Sequence, residues 1–126
     1  MIRSFQDFVS ETKMIPVVSM KGRTADEIVF YLHQWFICNS ITSEQIPNLY
    51  YCGITNDVDS RIATHKCEDH NGKDIKTLVA IECDSQEIAA EVEDRMGNLG
   101  FDIGNPPHKG NGAASDSRFV YLYKKP

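Results

Sequence analysis

The sequence lacks any long apolar run, which argues against membrane insertion and secretion. No stretch approaches the roughly 20 apolar residues of a membrane-spanning helix. Residues 1–13, MIRSFQDFVSETK, have polar residues throughout and contain no apolar core of the kind found in a secretory signal. Four cysteines occur without a CxxC pair or a disulfide-like spacing: Cys38, Cys52, Cys67 and Cys83. We therefore expect reduced thiols in a cytoplasmic protein.

Basic charge is also scarce. The chain has 13 lysines and arginines against 18 acidic residues, for a formal net charge of −5. This balance argues mildly against nucleic-acid binding, because phosphate contacts use Lys and Arg. The C-terminal part nevertheless holds several basic residues with few acids among them: His108, Lys109, Arg118, Lys124 and Lys125. With Arg61 and Lys66 they would form a local basic patch, and a solvated charged tail is the alternative.

The length and composition fit one globular domain. The chain has 126 residues, of which 41% are hydrophobic and 25% charged, and shows no internal repeat or low-complexity tract. We divide it into an N-terminal helical extension, residues 1–47, and a core, residues 48–126. In the extension we expect a short helix over residues 1–12 and a helix behind a capping box at residues 24–27. Residues 15–20 are expected to be extended, because Pro16 opposes a helix.

The core is predicted to be α+β, with a small antiparallel three-stranded sheet flanked by helices. Its expected elements follow in order: a strand over residues 49–55, a helix after an Asn56-Asp57 turn, a strand over 77–82, a helix behind a capping box at 84–87, and a strand over 118–125. Residues 102–117 are rich in Gly, Asn, Pro and Ser, and predict a long loop of a kind that is often functional.

The first strand and helix of the core carry the most informative pattern. Arg61 and His65 share one helix face with the apolar Val58 and Ile62, because these four positions are spaced at i, i+3, i+4 and i+7. We expect this face to be buried, where an arginine and a histidine are costly unless they have partners or a function. A strand, a glycine turn and an inward arginine predict a phosphate site.

This segment resembles the second half of the motif of the GIY-YIG nucleases. That motif reads tyrosine, a branched residue and glycine, then a polar turn and a helix with an arginine and often a histidine or tyrosine one turn later. Tyr51, Gly53, Arg61 and His65 match it, and Cys52 replaces the branched residue. The resemblance implies hydrolysis of phosphodiester bonds, most simply in DNA, with one divalent metal, Mg²⁺ or Mn²⁺. An ordinary strand-turn-helix with a surface arginine is the alternative.

The GIY strand of the family is missing from its usual place before Tyr51. The C-terminal strand, however, contains the sequence FVYLYK, which is similar to a GIY strand without its first glycine. An antiparallel strand pair does not depend on which end of the chain supplies either strand. We therefore predict a circularly permuted, GIY-YIG-like sheet in which residues 118–124 pair with residues 49–55 and Tyr121 lies near Tyr51.

Two glutamates compete for the metal-binding position that the resemblance implies. Helical periodicity leaves the choice open, since Glu91 and Glu93 flank opposite sides of the apolar stripe. The family spacing has an alanine four residues before the glutamate and an apolar residue three after it. Ala89, Glu93 and Met96 fit that spacing. We therefore expect Glu93 to hold the metal, with Glu91 as the second choice.

The resemblance also implies roles for the remaining site residues. Tyr51 or Tyr121 would help to activate the attacking water, and would need help from the metal or the arginine because a free tyrosine has a pKa near 10. Arg61 would stabilise the phosphate. His65 would orient a tyrosine, contact phosphate or simply pack in the core. The expected substrate-binding residues are Gly53, Lys66, Asn105, Lys109 and Arg118.

Two further interpretations remain open. His65, Cys67 and His70, with Cys83 nearby, contain good zinc-ligand types, although their spacing matches no familiar closed set. The second interpretation is a binding module that keeps the fold without catalysis and interacts with protein or nucleic acid. The missing glycine of the GIY strand and the acidic net charge favour it, whereas the retained tyrosine, arginine and glutamate positions favour an endonuclease.

Overall fold

The computed structural model describes residues 15–39, 46–104 and 116–126. Within these ranges it has four strands and three α-helices: β1 (Val18–Ser19), α1 (Ala25–Asn39), β2 (Tyr50–Thr55), α2 (Val58–Thr64), β3 (Leu78–Glu82), α3 (Gln86–Asn98) and β4 (Phe119–Lys124). A 3₁₀ turn, Pro47–Leu49, precedes β2, and a π-helical turn, His65–Asp69, follows α2. The predicted α+β class is confirmed. No helix in this part of the chain combines the length and apolarity needed to cross a membrane.

The sheet has the strand order β1-β3-β4-β2, so the C-terminal strand is one of its two interior strands. β4 runs antiparallel to both of its neighbours. Its pairing with β2 confirms the predicted contact between residues 118–124 and residues 49–55. The register places Tyr121 opposite Gly53 and Tyr123 opposite Tyr51. This register decides which side chains meet on each face of the sheet, because successive residues of a strand point to opposite faces.

The sheet is four-stranded and mixed, which corrects the predicted three-stranded antiparallel sheet. The additional strand is β1, which pairs in parallel with the end of β3 through Val18 opposite Ile81 and Ser19 opposite Glu82. The backbone N–H of Met20 continues this edge by donating to the carbonyl of Glu82 at 2.9 Å. β1 consists of only two residues, and both are exposed, so it shows no alternation of buried and exposed side chains. Its hydrogen bonds to β3 define it as a strand. β1 thus lies in the stretch that was predicted to be extended, residues 15–20, but its pairing with β3 was not predicted.

One face of the sheet packs against α1 and α3 and forms the larger part of the core. α1 contributes Ile28, Leu32 and Phe36, and α3 contributes Val92 and Met96, all almost completely buried. The opposite face is covered by α2. The smaller apolar cluster there consists of Val58, Ile62, Ala80, Tyr121 and Tyr123. The sheet is therefore the middle layer between two layers of helix.

The helix starts follow the capping patterns with one shift. At α1 the predicted box is formed, because the backbone N–H of Glu27 donates to Thr24 Oγ1 at 3.2 Å and that of Thr24 donates to the Glu27 carboxylate at 2.9 Å. At α3 the capping residue is Ser85, one residue after the predicted Asp84. Asp84 instead accepts a hydrogen bond from the backbone of Gly22 at 2.7 Å, and so fixes the turn that follows β1. The predicted helix over residues 1–12 lies outside the described residues.

Candidate functional site

Three tyrosines form a layer on the face of the sheet that carries α2. Tyr51 of β2 and Tyr121 of β4 have their ring centroids 6.1 Å apart, which confirms their predicted proximity. Tyr123 lies 5.7 Å from Tyr51 and stacks on Tyr121 at 6.3 Å with nearly parallel rings. Tyr121 and Tyr123 share this face because they are two residues apart on one strand. The layer therefore presents several phenol groups to α2.

Gly53 makes room for this layer. It lies opposite Tyr121 in the sheet register. A Cβ atom at position 53 would come within 2.6 Å of Tyr121 Cζ, closer than real side chains approach. Only glycine lets the Tyr121 ring lie across β2 in this way. The structure thus gives the glycine of the Tyr-x-Gly motif a steric role beside Tyr121.

The helix α2 places Arg61 and His65 over the tyrosines. Asp57 caps its start by accepting a hydrogen bond from the backbone N–H of Ser60 at 3.2 Å. His65 is 4% exposed, in agreement with the predicted buried face. Arg61 is exposed, which corrects the prediction that it is buried. A short helix buries only a narrow stripe, and the long arginine stem lies at its margin with the charged group near Tyr121.

His65 is held between a carboxylate and a phenol. Its Nδ1 lies 2.6 Å from Asp69 Oδ2, and its Nε2 lies 2.7 Å from the Tyr121 hydroxyl. A carboxylate can only accept a hydrogen bond, so Nδ1 carries the proton and Nε2 accepts from the tyrosine O–H. Asp69, His65 and Tyr121 therefore form a chain in which the histidine can take a proton from the phenol and the aspartate can stabilise the resulting imidazolium.

Burial keeps the groups of this face neutral. Desolvation lowers the pKa of His65, and the charge of Arg61 lowers it further, although Asp69 acts in the opposite direction. Desolvation and the charge of Glu93 raise the pKa of Tyr51 to about 12. Burial likewise raises the pKa of Tyr121 and of Tyr123. At neutral pH the tyrosines are thus hydrogen-bond donors, and the neutral His65 is the proton acceptor beside them.

We expect His65 to titrate below its ordinary pKa of 6.5. Asp69→Asn should lower the pKa further, because it removes the charge that favours the imidazolium, whereas Arg61→Ala should raise it by removing a repelling charge. Because the folded state disfavours protonation of His65, the contribution of this residue to stability is fully present above pH 6.5. That contribution is lost as the pH falls through the lowered pKa of the folded state. Titration of the ring protons by NMR measures all three values. Shifts of the same sign in the two variants would contradict the assigned geometry.

Arg61 borders an open polar cavity. Burial pushes the pKa of Arg61 down, but its interactions with the hydroxyls of Tyr121 and Tyr51 outweigh this and raise the pKa overall. The cavity has a volume of about 260 Å³, and hydroxyl and amide groups line it beside the guanidinium: Thr55, Asn56, Ser60, Thr64 and Ser117. The carboxylate of Asp57 also lines it, and is engaged in capping α2. A permanently charged fork next to hydrogen-bond donors is a suitable site for a phosphate group.

Of the two candidate glutamates, Glu93 faces inward. Its side chain is 1% exposed on the apolar stripe of α3, and its charge is one of the influences that raise the pKa of Tyr51. Glu91 is exposed and forms an ion pair with Arg95 at 2.8 Å. In the described ranges no three His, Cys, Asp or Glu side chains are grouped as a metal site. Glu93 is therefore a buried carboxylate whose charge acts on Tyr51.

The remaining predicted residues do not join this arrangement. Lys66 pairs with Asp74 at 2.9 Å. Arg118 pairs with Glu82 at 3.2 Å and lies over the Phe119 ring, beyond the far end of the tyrosine layer. The two other expected substrate-binding residues, Asn105 and Lys109, lie outside the described residues.

The zinc interpretation is not supported by the placement of its residues. His65 and His70 both contact tyrosine hydroxyls, the latter through Nε2 at 2.9 Å from Tyr123. Cys67 is an exposed free thiol. Cys83 is buried in the core on the opposite face of the sheet, where burial raises its pKa to about 11.

The sequence reasoning missed the functional partners Asp69 and Tyr123. Two signals were available: the i, i+4 spacing of His65 and Asp69, and the two-residue spacing of Tyr121 and Tyr123 on one strand. Position alone does not show that a carboxylate and a phenol bind the same imidazole. The chain matches no protein-family model, no curated protein and no solved structure, so the function is inferred from the residues of this site.

Proposed function

We propose that this protein is a metal-dependent DNA endonuclease of the GIY-YIG type, circularly permuted so that β4 replaces the GIY strand. The observation that carries the proposal is the cluster formed by Arg61 with Tyr51, Tyr121 and His65 on one face of the sheet. Each of these residues is one that the family resemblance implied. Their convergence supports phosphodiester chemistry, because it joins a phosphate-binding cation to groups that transfer protons.

In this proposal Arg61 binds the scissile phosphate. Its guanidinium is exposed to the polar cavity and interacts with the Tyr121 hydroxyl. A phosphate bound there would receive two parallel hydrogen bonds from the arginine fork. It would lie next to the tyrosine layer. The positive charge would also stabilise the extra negative charge that develops on the phosphate oxygens during attack.

The chain from Asp69 through His65 supplies the base that a tyrosine lacks. A phenol with a raised pKa is a poor base by itself, but Tyr121 already donates its proton toward His65 Nε2. When the attacking water transfers a proton to the tyrosine oxygen, the tyrosine can pass its own proton to His65. Asp69 then stabilises the imidazolium. No free phenolate is needed, which favours Tyr121 over Tyr51 as the residue that carries the proton.

Glu93 is the residue that would hold the divalent metal. A carboxylate oxygen is the kind of ligand that Mg²⁺ and Mn²⁺ prefer, and Mg²⁺ sites commonly use one or two carboxylates together with water. Its charge already influences Tyr51. When bound, the metal would neutralise charge on the phosphate. The burial of Glu93 requires that its side chain gain access to water as the ion binds.

The alternative function is a binding module that retains the phosphate site without cleavage. The observation in its favour is that Glu93 and Tyr121 are each only 1% exposed. A buried carboxylate and a buried phenol are poorly placed to meet solvent or substrate, whereas the exposed Arg61 would still bind a phosphate. The two functions differ in one property, the need for a divalent metal.

We expect the protein to cleave DNA with Mg²⁺ or Mn²⁺ and to lose this activity with a chelator. Glu93→Gln should abolish both the metal binding measured by calorimetry and the cleavage, because a neutral amide is a poor ligand for a hard cation. Glu91→Gln is the matched control, since it makes the same change on the exposed side of the same helix.

The variants separate the possibilities. If Glu91→Gln lost metal binding and Glu93→Gln kept it, the metal ligand would be Glu91 and the choice of Glu93 would be wrong. DNA binding without cleavage in the presence of either metal would favour the binding module. Absence of any DNA binding would exclude the DNA endonuclease and would leave a module that binds protein or RNA.

A further inference from the structure

A second basic cavity lies at the end of the sheet where β4 finishes. It has a volume of about 430 Å³. Four of the residues that line it are lysines: Lys73, Lys76, Lys124 and Lys125. We call it the lysine pocket. Four lysines in one concavity are unexpected in a chain with a formal net charge of −5.

The acidic groups near the lysine pocket are already neutralised. Asp74, the acidic residue that lines it, pairs with Lys66 at 2.9 Å, and the Lys66 side chain is not part of the lining. Lys125 pairs with Asp102 at 2.8 Å. Within the described ranges Lys73, Lys76 and Lys124 form no ion pair. The pocket therefore has a surplus of positive charge, which raises the local concentration of anions.

The backbone fixes the position of the lysine pocket. The N–H of Lys124 donates to the Thr77 carbonyl at 3.0 Å, and the N–H of Lys73 donates to the His70 carbonyl at 2.9 Å. His70 in turn contacts the Tyr123 hydroxyl at 2.9 Å. The pocket is thus joined through one histidine to the tyrosine layer.

The separation between the lysine pocket and the Arg61 cavity suits a nucleic-acid strand. The Arg61 cavity is lined by Ser117, just before the start of β4, and the lysine pocket by Lys124, at the end of that strand. These two positions are seven residues apart, which corresponds to about 23 Å along the strand. A DNA strand spans such a distance with a few nucleotides. A phosphate held by Arg61 would leave phosphates of the same strand within reach of the lysines.

We propose that the lysine pocket binds the phosphodiester backbone of a DNA strand a few nucleotides away from the phosphate held by Arg61. This inference rests on the proposed DNA-binding function and extends it to the length of strand that is recognised. Lysines are suited to this role, because they act as mobile point charges that bind phosphates without reading sequence. The lysine pocket would therefore add affinity and salt dependence, but no base specificity.

The test measures binding of a fluorescent single-stranded DNA oligonucleotide by anisotropy, with EDTA present so that no cleavage occurs. In the double variant Lys73→Gln/Lys124→Gln we expect weaker binding. The slope of log affinity against log salt concentration should also be shallower by about 1.4, since each phosphate contact with a single strand contributes about 0.7 to that slope. A dinucleotide is too short to span both sites, so its affinity should be unchanged.

The matched control is Lys21→Gln/Arg23→Gln, which removes the same charge at the opposite end of the sheet, where both side chains are exposed. It should bind the oligonucleotide like the wild type. Thermal melting of both double variants verifies that they are folded. Their net charge is identical, so a difference between them reflects the place of the lost charges.

The outcomes distinguish this inference from the proposed function. Two results would overturn the inference about the lysine pocket and leave the proposed function standing. One is an equal loss of DNA binding in the two double variants. The other is wild-type binding by Lys73→Gln/Lys124→Gln while Arg61→Ala weakens binding. Failure of the wild type to bind DNA would overturn both. Inorganic phosphate is the last probe. If it displaced the oligonucleotide at equal phosphate concentration from Arg61→Ala, in which the lysine pocket is the remaining one of the two proposed phosphate sites, the pocket would be a simple anion site and the inference would fail.

Discussion

Deletion of residues 118–126 is expected to abolish cooperative folding. β4 is one of the two interior strands of the sheet, and its loss leaves the facing backbone groups of β2 and β3 without partners. It also removes Val120, Tyr121, Leu122 and Tyr123, each 0 or 1% exposed. At about 1.5–3 kcal/mol for each side chain this is roughly 6–12 kcal/mol, comparable to the whole stability of a small domain, about 5–15 kcal/mol. Circular dichroism during thermal melting would show no cooperative transition.

A shorter deletion provides the control. Removing only Lys125 and Pro126 keeps β4 complete, and loses the ion pair to Asp102 and one backbone hydrogen bond to the carbonyl of Leu49. A partly exposed ion pair contributes little to stability, so this variant should melt close to the full-length temperature. A cooperative transition near that temperature in the 118–126 deletion would show that β4 is an appendage, and Tyr121 would lose its place in the site.

Arg61→Ala is expected to abolish DNA cleavage while changing the stability little. Removal of one group that stabilises charge in a transition state typically costs about 10²–10³-fold in rate, and Arg61 is the residue that we assign to the phosphate. The effect on folding is small because the side chain is exposed and its helix remains capped by Asp57. Single-turnover cleavage measures the first effect, and the thermal midpoint measures the second.

Two substitutions help to interpret that result. Arg23→Ala removes an exposed arginine of an ion pair with Glu27 on the edge of the sheet far from the site, and should cleave like the wild type. Arg61→Lys keeps the charge without the two-pronged hydrogen bonding, and should retain only part of the activity. If Arg61→Ala cleaved DNA at the wild-type rate, the assignment of the active site would be wrong.

Several elements of the fold could be predicted from local patterns. β3 and β4 follow the predicted strands within one residue at their first positions, because alternating or continuous branched and aromatic residues are typical of strands. α2 begins directly after the predicted turn, since Asp57 both ends the strand segment and caps the helix. Each of these elements depends on residues that are close together in the chain.

The predictions of local structure were wrong where a residue far away in the chain decides the conformation. β1 is two exposed residues long and exists through its pairing with β3. The capping residue of α3 is Ser85 because Asp84 is engaged by Gly22, which is 62 residues away. Arg61 is exposed although its spacing matches a buried face, since the tyrosines beneath α2 leave room for only a narrow stripe of that helix.

The sequence by itself determined which residues share a helix or strand face, because that depends only on the repeat of the backbone. It therefore identified Arg61 with His65 on one helix face, although the same reasoning was not applied to Tyr121 and Tyr123 as partners in the site. The tertiary structure decided which of these faces meet. The pairing of β4 with β2 places Tyr121 beside Gly53, and the packing of α3 buries Glu93 while Glu91 stays exposed. Such contacts join residues far apart in the chain, and their geometry follows from strand register and packing, which local spacing does not contain.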